Sequence, residues 1–349
     1  MFVIDTWELE NRQEMKLYTD KDSSLSILDK SRVVVMGYGN QGRPQALNLR
    51  DSGLDVIISA RKGRGGWKKA IDDGFSPVGI EEGARLADIL LFLLPDEFQG
   101  KIYREKVAEN LRDGAAISFA HGFAVAFGEI EPDRADLILV APKGQGERLR
   151  KAYLEGSGLA CLIAVANDIS GEAEKRALAI ASGLGCLRVG GFPTTFREEA
   201  VSDLFGEQAV LCGGVTGLVK AAYDLLLRRG FSPEVAYFEC FEELKIIVDL
   251  FQQRGFAGMR DVISGTAAYG GLQYGEKLIS GEMIAAMEEL FDRIDSGDFA
   301  RDWIEKASEK PEELEGLRKE EADLSIERAG RVVRGLYNKS DGPETEEGV

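Results

Sequence analysis

Apolar residues fall into two regimes along the chain. Up to residue 192 they come in short unbroken runs: "RVVVMG" (32–37), "DVIISA" (55–60), "DILLFLLP" (88–95), "AAISFA" (115–120), "DLILVAP" (136–142), "ACLIAVA" (160–166) and "CLRVGG" (186–191). Each is bounded by Gly, Asp or Pro, the pattern of strands buried on both faces of a parallel sheet. The stretches between them are long enough for crossover helices, so residues 1–192 read as a Rossmann-type, doubly wound α/β domain with residues 1–30 as a lead-in arm. Past "GGFPTTF" the period becomes helical and no run reads as a strand. Residues 193–331 are therefore expected to form an all-α domain, with the boundary near Pro193. Ser232-Pro233-Glu234 marks one helix start, with Ser as N-cap, Pro in the first turn and an acid after it. Residues 332–349, ending "SDGPETEEGV", read as a polar tail, disordered at its end.

Composition narrows the class. The chain has 349 residues, 44% of them hydrophobic, enough for a sizeable core in each of two domains. A formal charge of −17 argues against nucleic acid or an acidic membrane surface as partner. No apolar run approaches the roughly 20 residues of a membrane span, and "MFVIDTWELENRQEMK" lacks the pattern of a secretory signal. Cys161, Cys186, Cys212 and Cys240 are scattered without CxxC spacing and read as small core residues in a reducing compartment. The expected location is cytoplasmic.

The first run opens into "VVVMGYGNQG", which sets Gly37, Gly39 and Gly42 as G-x-G-x-x-G between a strand and the helical "RPQALNLRDSG". Each glycine has a mechanical reason: the tight turn, the approach of backbone N–H groups to a pyrophosphate, and close helix–strand packing. The ribose-binding acid of an NAD site is expected about 20 residues further on. "SARKGRGGW" places Arg61, Lys62 and Arg64 there instead. A cationic cluster suits a 2′-phosphate, which favours NADPH over NADH; the other reading is a solvated basic loop.

Two acidic pairs have unusual neighbours. Asp203 and Glu207 share a helix face with Ala200, Leu204, Val210 and Leu211, and Glu239 and Glu243 share one with Ala236, Cys240, Ile246, Ile247 and Leu250. Carboxylates on a core stripe are costly unless a cation or a proton neutralises them. All-oxygen donors without His or Cys suit Mg²⁺ or Mn²⁺. The alternative is that the pairs face solvent or bridge to cations such as Lys245. His121 in "SFAHGF" and Lys143 in "APKGQG" sit at strand ends, where open α/β sheets bind ligands; each is a site residue or a packing residue on this ground alone.

"GYGNQG…ALNLRDSG", "LLPDEFQ", "AHGF", "APKGQG", "DLFGEQAVLCGG" and "YFECFEELKIIVDL" occur in order over nearly the whole chain. Together they resemble ketol-acid reductoisomerase of the short, class I form. The resemblance implies an enzyme of branched-chain amino acid biosynthesis that uses NADPH and two Mg²⁺. In it, an alkyl group migrates within a 2-acetohydroxy acid (2-acetolactate or 2-aceto-2-hydroxybutanoate), and reduction follows to a 2,3-dihydroxy acid. It implies a knotted helical domain that interlocks with its twin, making a homodimer or a higher homo-oligomer. By the same matching, Asp203, Glu207, Glu239 and Glu243 hold metal, Glu243 also moves protons, and His121 and Lys143 belong to the catalytic site. Ile263, Ser264 and Ala267 then contact substrate. Gly37, Tyr38, Gly39, Asn40, Gln41, Gly42, Arg61, Arg64, Asp96, Glu97, Phe98, Gln99 and Gly146 fall where the family touches its cofactor.

The chain also departs from the family pattern. Arg43 and Gln45 replace histidines of "GSQGHAHALNL", Gln145 and Glu147 alter "PKGPGH", and Arg64 and Gly66 stand where serines are usual in the 2′-phosphate loop. Gly265 and Ala268 replace a polar and an acidic residue around Ser264. The cofactor changes keep NADH open beside NADPH. The pocket changes put the substrate in question, so a different 2-hydroxy-3-keto acid is the alternative, and a non-catalytic NADP-binding relative a further one.

Overall fold

A computed structural model describes residues 16–337; the first half of the lead-in arm and the acidic end of the tail lie outside these residues. The chain folds as two compact units that divide between Ser202 and Asp203.

The first unit is built on a seven-stranded sheet in the order β2-β1-β3-β4-β5-β6-β7. The strands are β1 (Arg32–Met36), β2 (Asp55–Ser59), β3 (Ile89–Phe92), β4 (Ala116–Phe119), β5 (Asp136–Pro142), β6 (Cys161–Asn167) and β7 (Gly191–Pro193). Consecutive side chains point to opposite faces, which explains the unbroken apolar runs. Val33, Val35, Ile89, Leu91, Ile138 and Val140 enter one core, and Val34, Met36, Leu90, Phe92, Leu137 and Leu139 enter the other. Helices α1 (Gly42–Asp51), α2 (Gly65–Asp72) and α3 (Ile80–Leu86) follow β1 and β2; α4 (Asp96–Ile102), α5 (Phe123–Ala126), α6 (Gly146–Leu154) and α7 (Ala173–Gly183) complete the cover.

Two sequence expectations need correction here. The sheet is not wholly parallel: β6 runs antiparallel to β5, from Pro142↔Cys161 to Leu137↔Asn167. An apolar run specifies burial on two faces but carries no direction. The run "CLRVGG" is not a strand either. Gly185 (φ +82°) and Gly190 (φ +147°) turn the backbone at both ends of a 3₁₀ turn, Cys186–Arg188, and pairing with β6 begins only at Gly191. The described part of the arm docks on that edge, where Tyr18 and Gly191 exchange two backbone hydrogen bonds of 2.8 Å.

From α8 (Phe196–Gly206) onward the described residues are helical and contain no strand. The helices are α9 (Gly214–Arg228), α10 (Pro233–Tyr237), α11 (Leu244–Arg260), α12 (Gly265–Leu278), α13 (Gly281–Asp295), α14 (Asp298–Glu309), α15 (Pro311–Ala322) and α16 (Ser325–Tyr337). Pro233 opens α10 as expected, with Ser232 extended before it, although the Ser232 hydroxyl makes no cap bond. Helix α16 runs on to Tyr337, beyond residue 331 where the tail was expected to begin, because Val333 is fully buried against Tyr223, Ala236, Tyr237 and Ala329.

That cluster is small, and much apolar surface in the helical unit stays exposed, including Leu211, Leu218, Phe256, Tyr269, Leu272, Leu278 and Leu336. The helical run Phe196–Arg228 is long and apolar enough to cross a membrane by length and composition, and only 11% of its most apolar window is buried. Its longest stretch without a charged residue is Gln208–Val219, between Glu207 and Lys220, so no unbroken apolar run of spanning length is present there.

Candidate active site

The glycine loop joins the carboxyl end of β1 to α1, and its three glycines differ in what surrounds them. A Cβ on Gly37, whose φ is +100°, would lie 2.4 Å from the Leu93 carbonyl oxygen, and one on Gly42 would lie 1.9 Å from the Gly37 oxygen. A Cβ on Gly39 would meet nothing within 4 Å. Two glycines thus let the backbone pack on itself, and the third keeps a concavity clear at the start of a helix, where N–H groups and dipole favour an anion. Gly146 opens α6 against the same loop, since a Cβ there would lie 1.8 Å from the Asn40 oxygen, and Gln41 Nε2 donates to the Gly144 oxygen at 3.2 Å. A cleft of about 980 Å³ runs along this seam, lined by Tyr38, Gly39, Asn40, Arg43, Gln145 and Gly146 among others.

The remaining cofactor candidates surround that loop. Arg61, Lys62 and Arg64 are exposed on the β2–α2 connection. Asp96, Glu97, Phe98 and Gln99 form the first turn of α4, after β3. Gln99 is a brace: its Nε2 donates to the Leu94 oxygen at 2.8 Å and to Asp96 Oδ1 at 3.0 Å, which leaves its Oε1 buried without a partner.

His121 and Lys143 follow β4 and β5 at the same carboxyl edge, and one residue that the sequence reading missed brings them together. Glu199 on α8, 1% exposed, accepts from the Gly122 N–H at 2.7 Å, the Lys143 ammonium at 3.2 Å and His121 Nδ1 at 3.0 Å. Burial pushes the Glu199 carboxyl up, but the His121 hydrogen bond, the charges of His121 and Lys143 and the Gly122 N–H outweigh it and hold it below the usual range. Glu199 is therefore ionised and accepts only, so His121 carries its proton on Nδ1. Gly122 is required in this corner: a Cβ would lie 2.4 Å from the Phe196 oxygen.

A glycine cradle and a His–Glu–Lys cluster on one sheet edge are joined by a match over most of the chain. Residues 27–190 match the profile "Acetohydroxy acid isomeroreductase, NADPH-binding domain", and residues 196–339 match "Ketol-acid reductoisomerase, C-terminal domain". The chain belongs to the ketol-acid reductoisomerase family. It is 46% identical over 323 residues to the ketol-acid reductoisomerase (NADP(+)) of Pyrococcus abyssi, covering 92% of this chain and 97% of that protein. The namesake of Methanothermobacter thermautotrophicus is 45% identical, covering 92% and 98%. Among solved structures, an NADH-preferring ketol-acid reductoisomerase from an uncultured archaeon superposes with a TM-score of 0.88 at 40% identity, covering 92% of this chain and 99% of that one. The family makes this chain an oxidoreductase.

In the helical unit of this reductoisomerase, the four metal candidates do not lie on a dry stripe. Asp203 is half-buried, Glu207, Glu239 and Glu243 are exposed, and Val210, Leu211 and Ile246 beside them are 49%, 66% and 60% exposed. Nor do the two pairs converge at ligand distance within one chain, among the described residues. A helical period records a face but not what covers it. The Asp203/Glu207 pair runs into a π turn, Glu207–Leu211, and the Glu239/Glu243 pair straddles a second, Phe238–Glu242. Both pairs therefore lie at π turns, which gather at functional sites.

Ser264 is the N-cap of α12, its Oγ accepting from the Ala267 N–H at 3.2 Å, with Ile263 half-buried just before it. The missed Glu199 did leave a signal, since it precedes Asp203 by one helical turn in "REEAVSDLFGEQ".

Proposed function

We propose that this chain is a Mg²⁺-dependent ketol-acid reductoisomerase that converts a 2-acetohydroxy acid, 2-acetolactate or 2-aceto-2-hydroxybutanoate, into the 2,3-dihydroxy acid with NADPH. The observation that carries it is the meeting, on one carboxyl edge of the sheet, of the open glycine cradle at Gly39 with the His121–Glu199–Lys143 cluster. When bound, the cations supply Lewis acidity toward the hydroxyl, keto and carboxylate oxygens, and NADPH supplies hydride. Asp203, Glu207, Glu239 and Glu243 would hold the cations, an all-carboxylate set that fits hard Mg²⁺. Glu243 exchanges a proton between substrate hydroxyl and water. Glu199 fixes the His121 tautomer and holds the Lys143 ammonium beside it, so the two orient water and stabilise negative charge on the substrate. Ile263, Ser264 and Ala267 would contact the substrate.

Arg61 and Arg64 support NADPH over NADH, in line with the two NADP(+) relatives; the NADH-preferring relative keeps NADH as the alternative donor. The exposed apolar faces of the helical unit support a homodimer through that unit, in which a second copy covers Leu211, Phe256 and Leu272 and completes the metal set. Lipid is the poorer cover, because Glu207 and Lys220 interrupt the helical run Phe196–Arg228. Free cysteines at all four positions agree with a cytoplasmic setting. One observation favours a different 2-hydroxy-3-keto acid: a Cβ at Gly265 would meet nothing within 4 Å, so the fold does not demand the small residue there.

The test is NADPH oxidation with acetolactate, with and without Mg²⁺. Metal-dependent turnover is expected, and Glu239→Gln should abolish it while sparing NADPH affinity. Turnover that ignores both Mg²⁺ and the Glu239 substitution would remove the metal role.

A further inference from the structure

Three donors from the glycine loop and α1 converge on Asp73, the residue that ends α2. The Tyr38 hydroxyl donates to Oδ2 at 2.8 Å. Arg43 grips both oxygens, Nε to Oδ2 at 2.6 Å and Nη2 to Oδ1 at 2.8 Å, and Arg50 Nη1 donates to the Asp73 carbonyl at 2.7 Å. The Arg50 guanidinium also lies 4.5 Å above the Phe75 ring, whose edge meets Tyr38 at 5.9 Å. At the other end of α2, a Cβ on Gly66 would stand 3.2 Å from the Tyr38 carbonyl oxygen. Tyr38 therefore touches both ends of the helix whose N-terminal lead is Arg61–Arg64.

An acid is a poor choice for that helix by itself. Negative charge at a helix C-terminus opposes the dipole, and Gly or Asn is the ordinary residue there. What Asp73 gains is the bidentate fork of Arg43, which holds both carboxylate oxygens at once.

We propose that Asp73 is a positioning residue for the dinucleotide: through Tyr38 and Arg43 it holds the Arg61–Arg64 loop at a fixed distance from the glycine cradle, and so sets the preference for a 2′-phosphate. The inference rests on the reading that the cradle and this loop hold NADPH. Asp73 acts through other groups, so loosening it lets the loop drift and weakens the cofactor that uses both anchors more than the one that uses the cradle alone.

The experiment is calorimetric binding of NADPH and NADH to the full chain, with steady-state kinetics on the same preparations. In Asp73→Asn the NADPH Kd should rise about tenfold and the NADH Kd about threefold or less, with kcat at saturating NADPH within about twofold. Arg43→His should move the same ratio in the same direction and less far, and Asp73→Glu should recover part of it. A purely structural role lowers thermal stability without changing the ratio of the two constants, and that result overturns the inference. If Asp73→Asn does not fold, Arg43→His decides alone: an unchanged ratio overturns it. A wild type without preference for NADPH, or one whose preference survives loss of Arg61 and Arg64, defeats the cofactor reading itself.

Discussion

Glu199 Oε2 accepts from both His121 Nδ1, at 3.0 Å, and the Gly122 backbone N–H, at 2.7 Å, so a single buried oxygen fixes the imidazole and the turn that carries it. Glu199→Gln keeps the volume but removes the charge facing Lys143 and permits the other imidazole tautomer. The expected result is a fall in kcat of about 10²-fold with NADPH affinity unchanged, read by steady-state kinetics beside equilibrium binding. A kcat within about twofold of wild type would mean that the cluster only braces the fold.

The glycine loop separates folding from binding. Gly42→Ala forces a methyl against the Gly37 oxygen and should cost about 1–3 kcal/mol of stability, seen as a lowered thermal midpoint. Gly39→Ala meets open space, so the free protein should melt as wild type does while NADPH binding weakens by about tenfold or more. Equal effects of the two changes on stability would refute this division of labour.

Arg61 and Arg64 are exposed, and no ion pair of theirs is present among the described residues. Replacing both with Ser should cost stability little and lower the NADPH-to-NADH ratio of kcat/KM by about 10–100-fold, mostly through KM for NADPH. Raised salt should weaken NADPH binding in the wild type more than in the double variant.

Asp73 gives a pH signature. The Arg43 hydrogen bonds hold its carboxyl below the ordinary aspartate range against the opposing effect of burial, with the Tyr38 hydroxyl adding to the lowering. A depressed folded-state value means that the stabilisation is complete above the unfolded value of about 3.9 and disappears as pH falls through the folded one. The difference in thermal midpoint between wild type and Asp73→Asn should therefore be full at about pH 7 and shrink below about pH 4. Its plateau should be on the order of 1 kcal/mol, because Arg43 is half-exposed and solvent screens the pair. A difference that stays flat down to about pH 2 would contradict this account.

The strands were legible because burial on two faces leaves an unmistakable apolar run, as in Val33–Met36 and Leu137–Val140. Direction was not, since the antiparallel setting of β6 depends on which edge the chain returns to. The glycine cradle could be read because its chemistry is main-chain geometry, which glycine spacing records. The partners of His121 and Tyr38 could not: Glu199 and Asp73 lie 78 and 35 residues away along the chain, and their roles exist only after the sheet has formed. The helical faces misled for a different reason: the apolar stripe beside the acids is itself exposed, as at Val210, Leu211 and Ile246, and a period records a face but not what covers it.

Among the described residues, the helical unit has a five-residue buried cluster around Tyr223 and Tyr237, while many apolar side chains from Leu211 to Leu336 are exposed. If a second copy covers these side chains, as proposed above, part of the free energy that holds α9 to α16 in shape would belong to association. Dilution would then act on this half of the enzyme as urea does, loosening it as partners separate while the sheet and its cradle persist.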